Sequence, residues 1–424
     1  MTLFIRRRAL TATRRIAGRF RAATVVLGLC LSATLPLGGQ AQAFDTQATA
    51  AYVVDLTTRT VLLEKNADMP LPPASMSKLM TLYVAFEAIR DGRLQLDERL
   101  PVSAHAMSYG GSTMFLDTTD RVKVEDLLRG IIVLSGNDAC VVLAEALSPD
   151  GTEAGFARYM TQRAQNMGMT NSTFTNSNGW PAAGHRMSMR DLALLATNLI
   201  EDFPNFYPLF SEETFAFDGR APQNSANRNP LLGLGVGADG LKTGHTSEAG
   251  YGLVGSARQD DRRVVFVLSG LSTAAARAQE SEAIVNWAFR QFTEKSLLKA
   301  GETVIKADVH MGDAPTVSLT TANDLTALIP VLFAKEVPAE VVYNGPISAP
   351  ITRGDELAEL ILSPEGLPET RVPLVAGESV NKGGFMVTIT TALDRLLTDI
   401  GGNRFDAAPE DAAREDATPV EEAS

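Results

Sequence analysis

Cysteine and histidine are both scarce in this chain. Its 424 residues include two cysteines, Cys30 and Cys140, and four histidines, His105, His185, His245 and His310. Cys30 falls in an N-terminal stretch that reads as a leader, so one thiol remains and an internal disulfide framework is excluded. Cys140 is followed by Val141, Val142, Leu143 and Leu147, an apolar setting that makes it a core residue. The histidines are dispersed and no His-Glu-x-x-His occurs, which removes the usual grounds for a metal centre. Phosphate-cradling glycine loops are missing as well, since Gly110-Gly111 and Gly401-Gly402 read as turns. No cofactor is called for.

Apolar runs long enough to span a membrane are also lacking. Ala22–Leu37 is short and broken by Pro36. It follows Arg6, Arg7, Arg8, Arg14, Arg15, Arg19 and Arg21 and precedes Ala41-Gln42-Ala43, the pattern of a secretory signal with a small-x-small cleavage site. Residues 1–43 are therefore expected to be removed and the mature chain to begin near Phe44. Cleavage would take away seven arginines and no acid or lysine, moving the formal net charge from −12 to −19. An exported protein this acidic is a poor partner for nucleic acid.

What the chain does carry is three short motifs in order: Ser75-Met76-Ser77-Lys78, Ser135-Gly136-Asn137 and Lys242-Thr243-Gly244. A serine hydroxyl is a weak nucleophile until a neighbouring base takes its proton, and a lysine three residues further along a helix lies on the same face. Pro72 and Pro73 precede a segment, Ser75 to Ile89, in which Leu79, Leu82, Tyr83, Phe86 and Ile89 recur at helical spacing. Ser75 is thereby predicted at a helix N-terminus, where unpaired amides and the dipole favour negative charge. Ser75 as nucleophile and Lys78 as base form one unit. Burial and nearby positive charge, with Lys242 as its source, would keep Lys78 partly neutral.

Length implies two domains. Tyr52-Val53-Val54-Asp55 and Thr60-Val61-Leu62-Leu63 read as a hairpin. Helices are predicted at Val124–Leu134 and Ala139–Leu147, with Ser135-Gly136-Asn137 as the turn between them. Strands return at Leu241–Gly244, Tyr251–Ala257 and Arg263–Leu268. A final helix carrying Ile284, Trp287, Ala288 and Phe292 on one face would cover that sheet. The expected catalytic domain, residues 44–300, is α/β: an antiparallel sheet flanked by helices, with a helical insert. Residues 301–381 have the short, Gly- and Pro-punctuated runs of a smaller all-β domain. Residues 382–402 form a predicted amphipathic helix, too polar to span and a candidate membrane anchor. Residues 403–424, with seven acids against Arg404 and Arg414, have the composition of a disordered tail.

The motifs and their surroundings resemble those of the low-molecular-mass penicillin-binding proteins that act as serine D-alanyl-D-alanine carboxypeptidases. These surroundings are Pro73-Ala74-Ser75 with Lys78-Leu79-Met80-Thr81, Ser135-Gly136-Asn137-Asp138-Ala139, and Asp239-Gly240-Leu241-Lys242-Thr243-Gly244-His245-Thr246. The likeness implies the β-lactamase/transpeptidase-like fold and an exported, periplasmic enzyme that trims the terminal D-alanine of peptidoglycan stem peptides and is acylated by β-lactams. It assigns Ser135 to proton relay, Asn137 to the substrate backbone, and Lys242, Thr243 and Gly244 to the terminal carboxylate. The N–H groups of Ser75 and His245 would form the oxyanion hole, and Arg228 matches an arginine near the carboxylate. Asn178 stands where the family leads one to expect histidine, and the loop through His185 reads as structural. A D,D-endopeptidase or a non-catalytic penicillin-binding wall protein are the alternatives. A β-lactamase is disfavoured because no Glu-x-x-Leu-Asn motif is present.

Overall fold

The computed structural model describes residues 2–9, 44–333 and 336–384. Strand β1 (Thr2–Ala9) belongs to the sheet of the second domain, treated below. Strands β2 (Ala50–Asp55) and β3 (Thr60–Lys65) make the expected hairpin. A 3-10 turn, Ala74–Ser77, leads into α1 (Lys78–Arg90). The helical insert then follows: β4 (Arg99–Pro101), α2 (Ala104–Ser108), β5 (Arg121–Lys123), α3 (Val124–Arg129), α4 (Asn137–Leu147), α5 (Glu153–Asn166) and α6 (Met189–Asp202). The chain returns through β6 (Ala238–Thr246), β7 (Gly250–Gln259) and β8 (Arg262–Leu271) before α7 (Ala274–Gln291). Helices α5, α6 and α7 each start on a hydroxyl cap: Thr152, Ser188 and Thr273 accept from the N–H groups of Gly155, Asp191 and Ala276.

The antiparallel sheet has the order β3-β2-β8-β7-β6. Alternation along its strands sends side chains to opposite faces. Ala50, Tyr52, Val265 and Val267 join the core under the helical insert, while Ala51, Val53, Val264, Phe266 and Leu268 join the core beneath α7 with Ile284, Val285 and Ala288. The sheet is thus buried on both faces, and its β6 edge abuts the 3-10 turn that carries Ser75.

The second domain contains β10 (Thr303–His310), β11 (Thr316–Thr321), β13 (Glu336–Tyr343), β14 (Ile347–Ser348), β15 (Glu356–Leu362) and β16 (Thr370–Ala376). They close over Ile305, Val317, Leu319, Val341, Leu360 and Leu374. Their sheet order is β1-β13-β15-β16-β11-β10-β14, with β1 parallel to β13 at the outer edge. The all-β region begins earlier than Gly301. Directly after α7, β9 (Phe292–Leu298) pairs with β12 (Leu325–Pro330) and not with the five-stranded sheet. Phe292 packs in the core beneath α7 and Leu298 in the second domain's core, so this strand is where the chain passes from one to the other. Arg262 holds the junction: its Nη1 and Nη2 donate to the carbonyls of Phe292 and Ala288 at 2.9 and 2.6 Å, and its Nε donates to the buried Asp55.

Two expected helices differ at their ends. The first opens as a 3-10 turn, with regular α-helix starting at Lys78. The segment Val124–Leu134 is α-helical only to Arg129 and continues as a π-helical turn, Gly130–Leu134. Asn137 is the first residue of α4 and not part of the preceding turn. The predicted amphipathic segment from Phe385 onward, the acidic tail, and residues 10–43 of the expected leader lie outside the described residues.

Candidate active site

The turn bearing Ser75 is pinned between two segments. On one side Gly244 of β6 approaches so closely that a Cβ there would lie 2.9 Å from the Pro73 carbonyl oxygen and 3.0 Å from Met76 Cγ. On the other, Gly179 has φ +82°, and a Cβ would sit 1.9 Å from the Ala74 carbonyl oxygen. Glycine is required at both, for close approach and, at Gly179, also for its left-handed backbone. The effect is to press motif one against motif three and against the loop that follows Asn178.

Lys78 is fully buried, and its ammonium nitrogen has three acceptors: Ser75 Oγ at 2.9 Å, Asn137 Oδ1 at 2.8 Å and the Asn178 carbonyl oxygen at 2.6 Å. None is a carboxylate. Burial therefore dominates and pulls the Lys78 pKa down to about 8; Arg228 acts in the same direction, while Cys140 and Asp138 oppose it. Burial was expected to contribute and does so first; the cation that adds to it is Arg228, where the sequence had pointed to Lys242. Lys242 is itself buried and held well below the usual lysine range, first by burial and then by the charge of Lys78.

Motif two reaches this point through backbone geometry. The π-helical turn ends at Ser135 in the left-handed region, φ 63°. Gly136 N–H returns to the Gly130 carbonyl at 3.0 Å, and Asn137 opens α4 with its side chain directed at Lys78. The Asn137 Nδ2 donates to the Gly110 carbonyl at 2.8 Å. The buried Asp138 carboxylate accepts from the backbone N–H groups of Met114 and Leu116, which holds the loop beside Asn137 in place. Ser135 Oγ is buried and has no hydrogen-bond partner among the described residues.

Motif three lies on β6. Lys242 and Thr243 are buried, and Lys242 Nζ donates to the Thr243 carbonyl at 3.4 Å. His245 is exposed and stacks on Tyr251 of β7, ring centroids 3.8 Å apart. Arg228, on the loop before β6, is exposed and donates from Nη1 to Ser112 Oγ.

Three contributors escaped the sequence. The Asn178 carbonyl touches Lys78, but a backbone acceptor leaves no mark on residue type. His185, read as structural, hydrogen-bonds Ser77 inside motif one at 2.7 Å. Arg277 on α7 is 9% exposed, lies 5.8 Å from the Tyr251 ring centroid and donates to the Arg228 carbonyl at 3.4 Å; its Nε is unpartnered among the described residues. Nothing in residue type or spacing marks Arg277, because its burial beside Tyr251 and Arg228 comes from the fold. The result is a region holding Lys78, Lys242, Arg228 and Arg277, in which no carboxylate hydrogen-bonds any of the four among the described residues. The two lysines are pushed toward their neutral forms by burial, whereas Arg228 and Arg277 keep their charge without a carboxylate partner, which suits the region to an anionic ligand.

A serine hydroxyl on a desolvated lysine, set between an antiparallel sheet and a helical insert, defines a serine-type peptidase of the penicillin-binding, transpeptidase-like fold. Comparison with known proteins sharpens this. The sequence model of the D-alanyl-D-alanine carboxypeptidase family matches residues 38–273, and that of the penicillin-binding protein 5 C-terminal domain matches residues 292–382. The D-alanyl-D-alanine carboxypeptidase DacC of Escherichia coli (strain K12) is 35% identical over 353 residues, covering 81% of this chain and 87% of that protein. The crystal structure of penicillin binding protein 5 from Haemophilus influenzae superposes with a TM-score of 0.68 at 31% identity, covering 80% of this chain and 99% of that one. Penicillin-binding protein D2 from Listeria monocytogenes, in its ampicillin-bound form, does so with a TM-score of 0.52 at 32% identity, covering 58% and 98%. The chain belongs to the D-alanyl-D-alanine carboxypeptidase family, and it is a serine-type peptidase.

Proposed function

We propose that Ser75 attacks the carbonyl carbon of the penultimate D-alanine of a peptidoglycan stem peptide while Lys78 takes the hydroxyl proton. The tetrahedral oxyanion is received by the N–H groups of Ser75 and His245. Ser135 passes a proton to the leaving D-alanine nitrogen, the C–N bond breaks, and an ester on Ser75 remains for water to hydrolyse. Asn137 holds the substrate backbone, and Lys242, Thr243 and Arg228 take the terminal carboxylate, with Gly244 giving the peptide room along β6. The observation that carries this reading is the contact of 2.9 Å between Ser75 Oγ and a buried, carboxylate-free Lys78 Nζ. A trimming enzyme is favoured over an endopeptidase by Arg228 and Arg277, which have no carboxylate partner among the described residues and match a free C-terminal carboxylate.

β-Lactams imitate the acyl-D-alanyl-D-alanine unit and acylate the same serine; the ampicillin-bound form of the Listeria relative supports this. The enzyme works outside the cytoplasmic membrane, in the periplasm, after loss of residues 1–43. Removal of β1 with the leader would leave β13 as the edge of a six-stranded sheet. The test is covalent labelling by a fluorescent penicillin: the purified protein should gain one adduct at Ser75, located by peptide mass spectrometry, and folded Ser75→Ala should gain none. Undiminished labelling of that variant would sink the assignment.

A further inference from the structure

The 3-10 turn Ala74–Ser77 and the start of α1 lack the side-chain caps that usually fix such a junction. Ser77 occupies the N-cap position of α1, yet its hydroxyl caps no backbone N–H. It is completely buried and bonded instead to His185 Nε2 at 2.7 Å. The direction of that bond is fixed by the other ring nitrogen. His185 Nδ1 lies 3.2 Å from the backbone nitrogen of Thr175, which can only donate, so Nδ1 is the acceptor and Nε2 carries the proton given to Ser77 Oγ. Burial, and next the charges of Lys78 and Arg186, hold the imidazole down to about 4 against the opposing pull of Glu153, so the ring is neutral across the working range.

The ring is itself rigidly held. Arg186 pairs with Thr173 and Met187 with Leu71, the residue that begins the approach to Pro72-Pro73-Ala74-Ser75. The Phe174 ring packs edge-on against the imidazole, centroids 5.6 Å apart. The same loop supplies the Asn178 carbonyl to Lys78 at 2.6 Å. It therefore grips motif one twice, at Ser77 through His185 and at Lys78 through Asn178.

We propose that His185 is a positioning residue for acylation, whose Nε2–H, acting through Ser77, sets the placement of Lys78 against Ser75. It touches neither substrate nor reacting atoms. The inference rests on the assignment of Ser75 and Lys78 as nucleophile and base.

The experiment measures the rate of acylation by a labelled penicillin from pH 6 to 10 in the full chain, for His185→Leu, His185→Gln, Ser77→Ala and the double variant His185→Leu/Ser77→Ala, with thermal melting alongside. Misplacing a reacting pair by about 1 Å costs on the order of 10²-fold in rate. His185→Leu and Ser77→Ala should each slow acylation by about 10- to 100-fold at pH 7 and move its pH midpoint upward. The upward sign follows because loosening the loop readmits water to Lys78, relieving the burial that depresses it, while Arg228, Asp138 and Cys140 around it, and Lys242 facing it from β6, are unchanged. His185→Gln keeps an N–H donor for Ser77 and should recover the wild-type midpoint, and the double variant should be no slower than either single. A folded His185→Leu with wild-type rate and midpoint, or single effects that multiply in the double variant, would overturn the proposal. Should His185→Leu fail to fold, Ser77→Ala and His185→Gln decide it by the same readouts. If Ser75→Ala still labels, the underlying assignment fails; if only the His185 and Ser77 variants behave as wild type, this inference alone falls.

Discussion

Lys78 concentrates the chemistry of the site because it is a base placed where its protonated form is poorly served. Its three acceptors are neutral, and burial pulls it down to about 8. Only the unprotonated amine can accept the Ser75 proton, so acylation should rise about tenfold per pH unit below that point and level off above it. A stopped-flow series with a labelled β-lactam from pH 6 to 10 checks this; a flat profile, or one still climbing at pH 10, would contradict it. Linkage gives the sign for stability. Between about 8 and the ordinary lysine value the unfolded chain holds a proton that the folded chain has lost, so this group's contribution to stability increases with pH in that window and is most unfavourable below it. How far the residue scale was legible follows from these same atoms. Ser75 and Lys78 could be paired on helical spacing, although their turn is 3-10 and not α. Asn137 could be placed from its motif. The Asn178 carbonyl, the Ser77–His185 bond and Arg277 could not, because each depends on a fold that brings together segments tens of residues apart.

At the scale of elements, the site depends on how closely the 3-10 turn is gripped by β6 and by the loop after Asn178. Periodicity announced α1, and the apolar runs at Tyr52–Asp55, Tyr251–Ala257 and Arg263–Leu268 announced strands of one sheet with a helix over it; that both faces are buried is seen in the fold. Periodicity was silent on the π-helical turn Gly130–Leu134, whose consequence is the left-handed Ser135. Two glycines with similar backbone allow a controlled test of the grip. Gly92, φ +73°, follows α1 and would meet nothing within 4 Å if given a Cβ; Gly179, φ +82°, would drive one into the Ala74 carbonyl. Both alanine substitutions pay about 1–2 kcal/mol for the left-handed backbone. Only Gly179→Ala must also displace the nucleophile's turn, so it should lose a further 1 kcal/mol or more, on the order of an overpacked site, and slow penicillin labelling at least tenfold. Gly92→Ala should label at the wild-type rate. Urea melts and labelling rates of the two variants decide the point, and equal labelling would show that the turn does not need the grip.

At the scale of the whole molecule, an acidic cell-wall enzyme needs a means of staying near its polymer. No helix among the described residues is long and apolar enough to cross a membrane. Phe385, Met386, Ile389, Leu393, Leu396, Leu397 and Ile400, beyond the described residues, fall on one face at helical spacing. Burying seven such side chains at about 1.5–3 kcal/mol each exceeds the cost of ordering a short helix. Electrostatics act the other way. Within residues 385–400 there is one basic residue, Arg395, against Asp394 and Asp399, the tail adds seven acids against two arginines, and the chain carries a net −12, which becomes −19 if residues 1–43 are removed as proposed, all repelled by an anionic leaflet. Binding should therefore be apolar in origin and opposed by charge, which fixes the sign of its salt dependence. Raising ionic strength screens the repulsion over a shorter distance, so a high-salt wash should retain the enzyme on membranes, whereas a basic peripheral protein would be released. Membrane pellets from cells expressing the full chain, washed in low and in high salt, should hold the protein more firmly in the second. A version ending at Gly383 should stay in the supernatant in both. Equal partition of the two versions, or release of the full chain by salt, would exclude an apolar anchor at this end of the molecule.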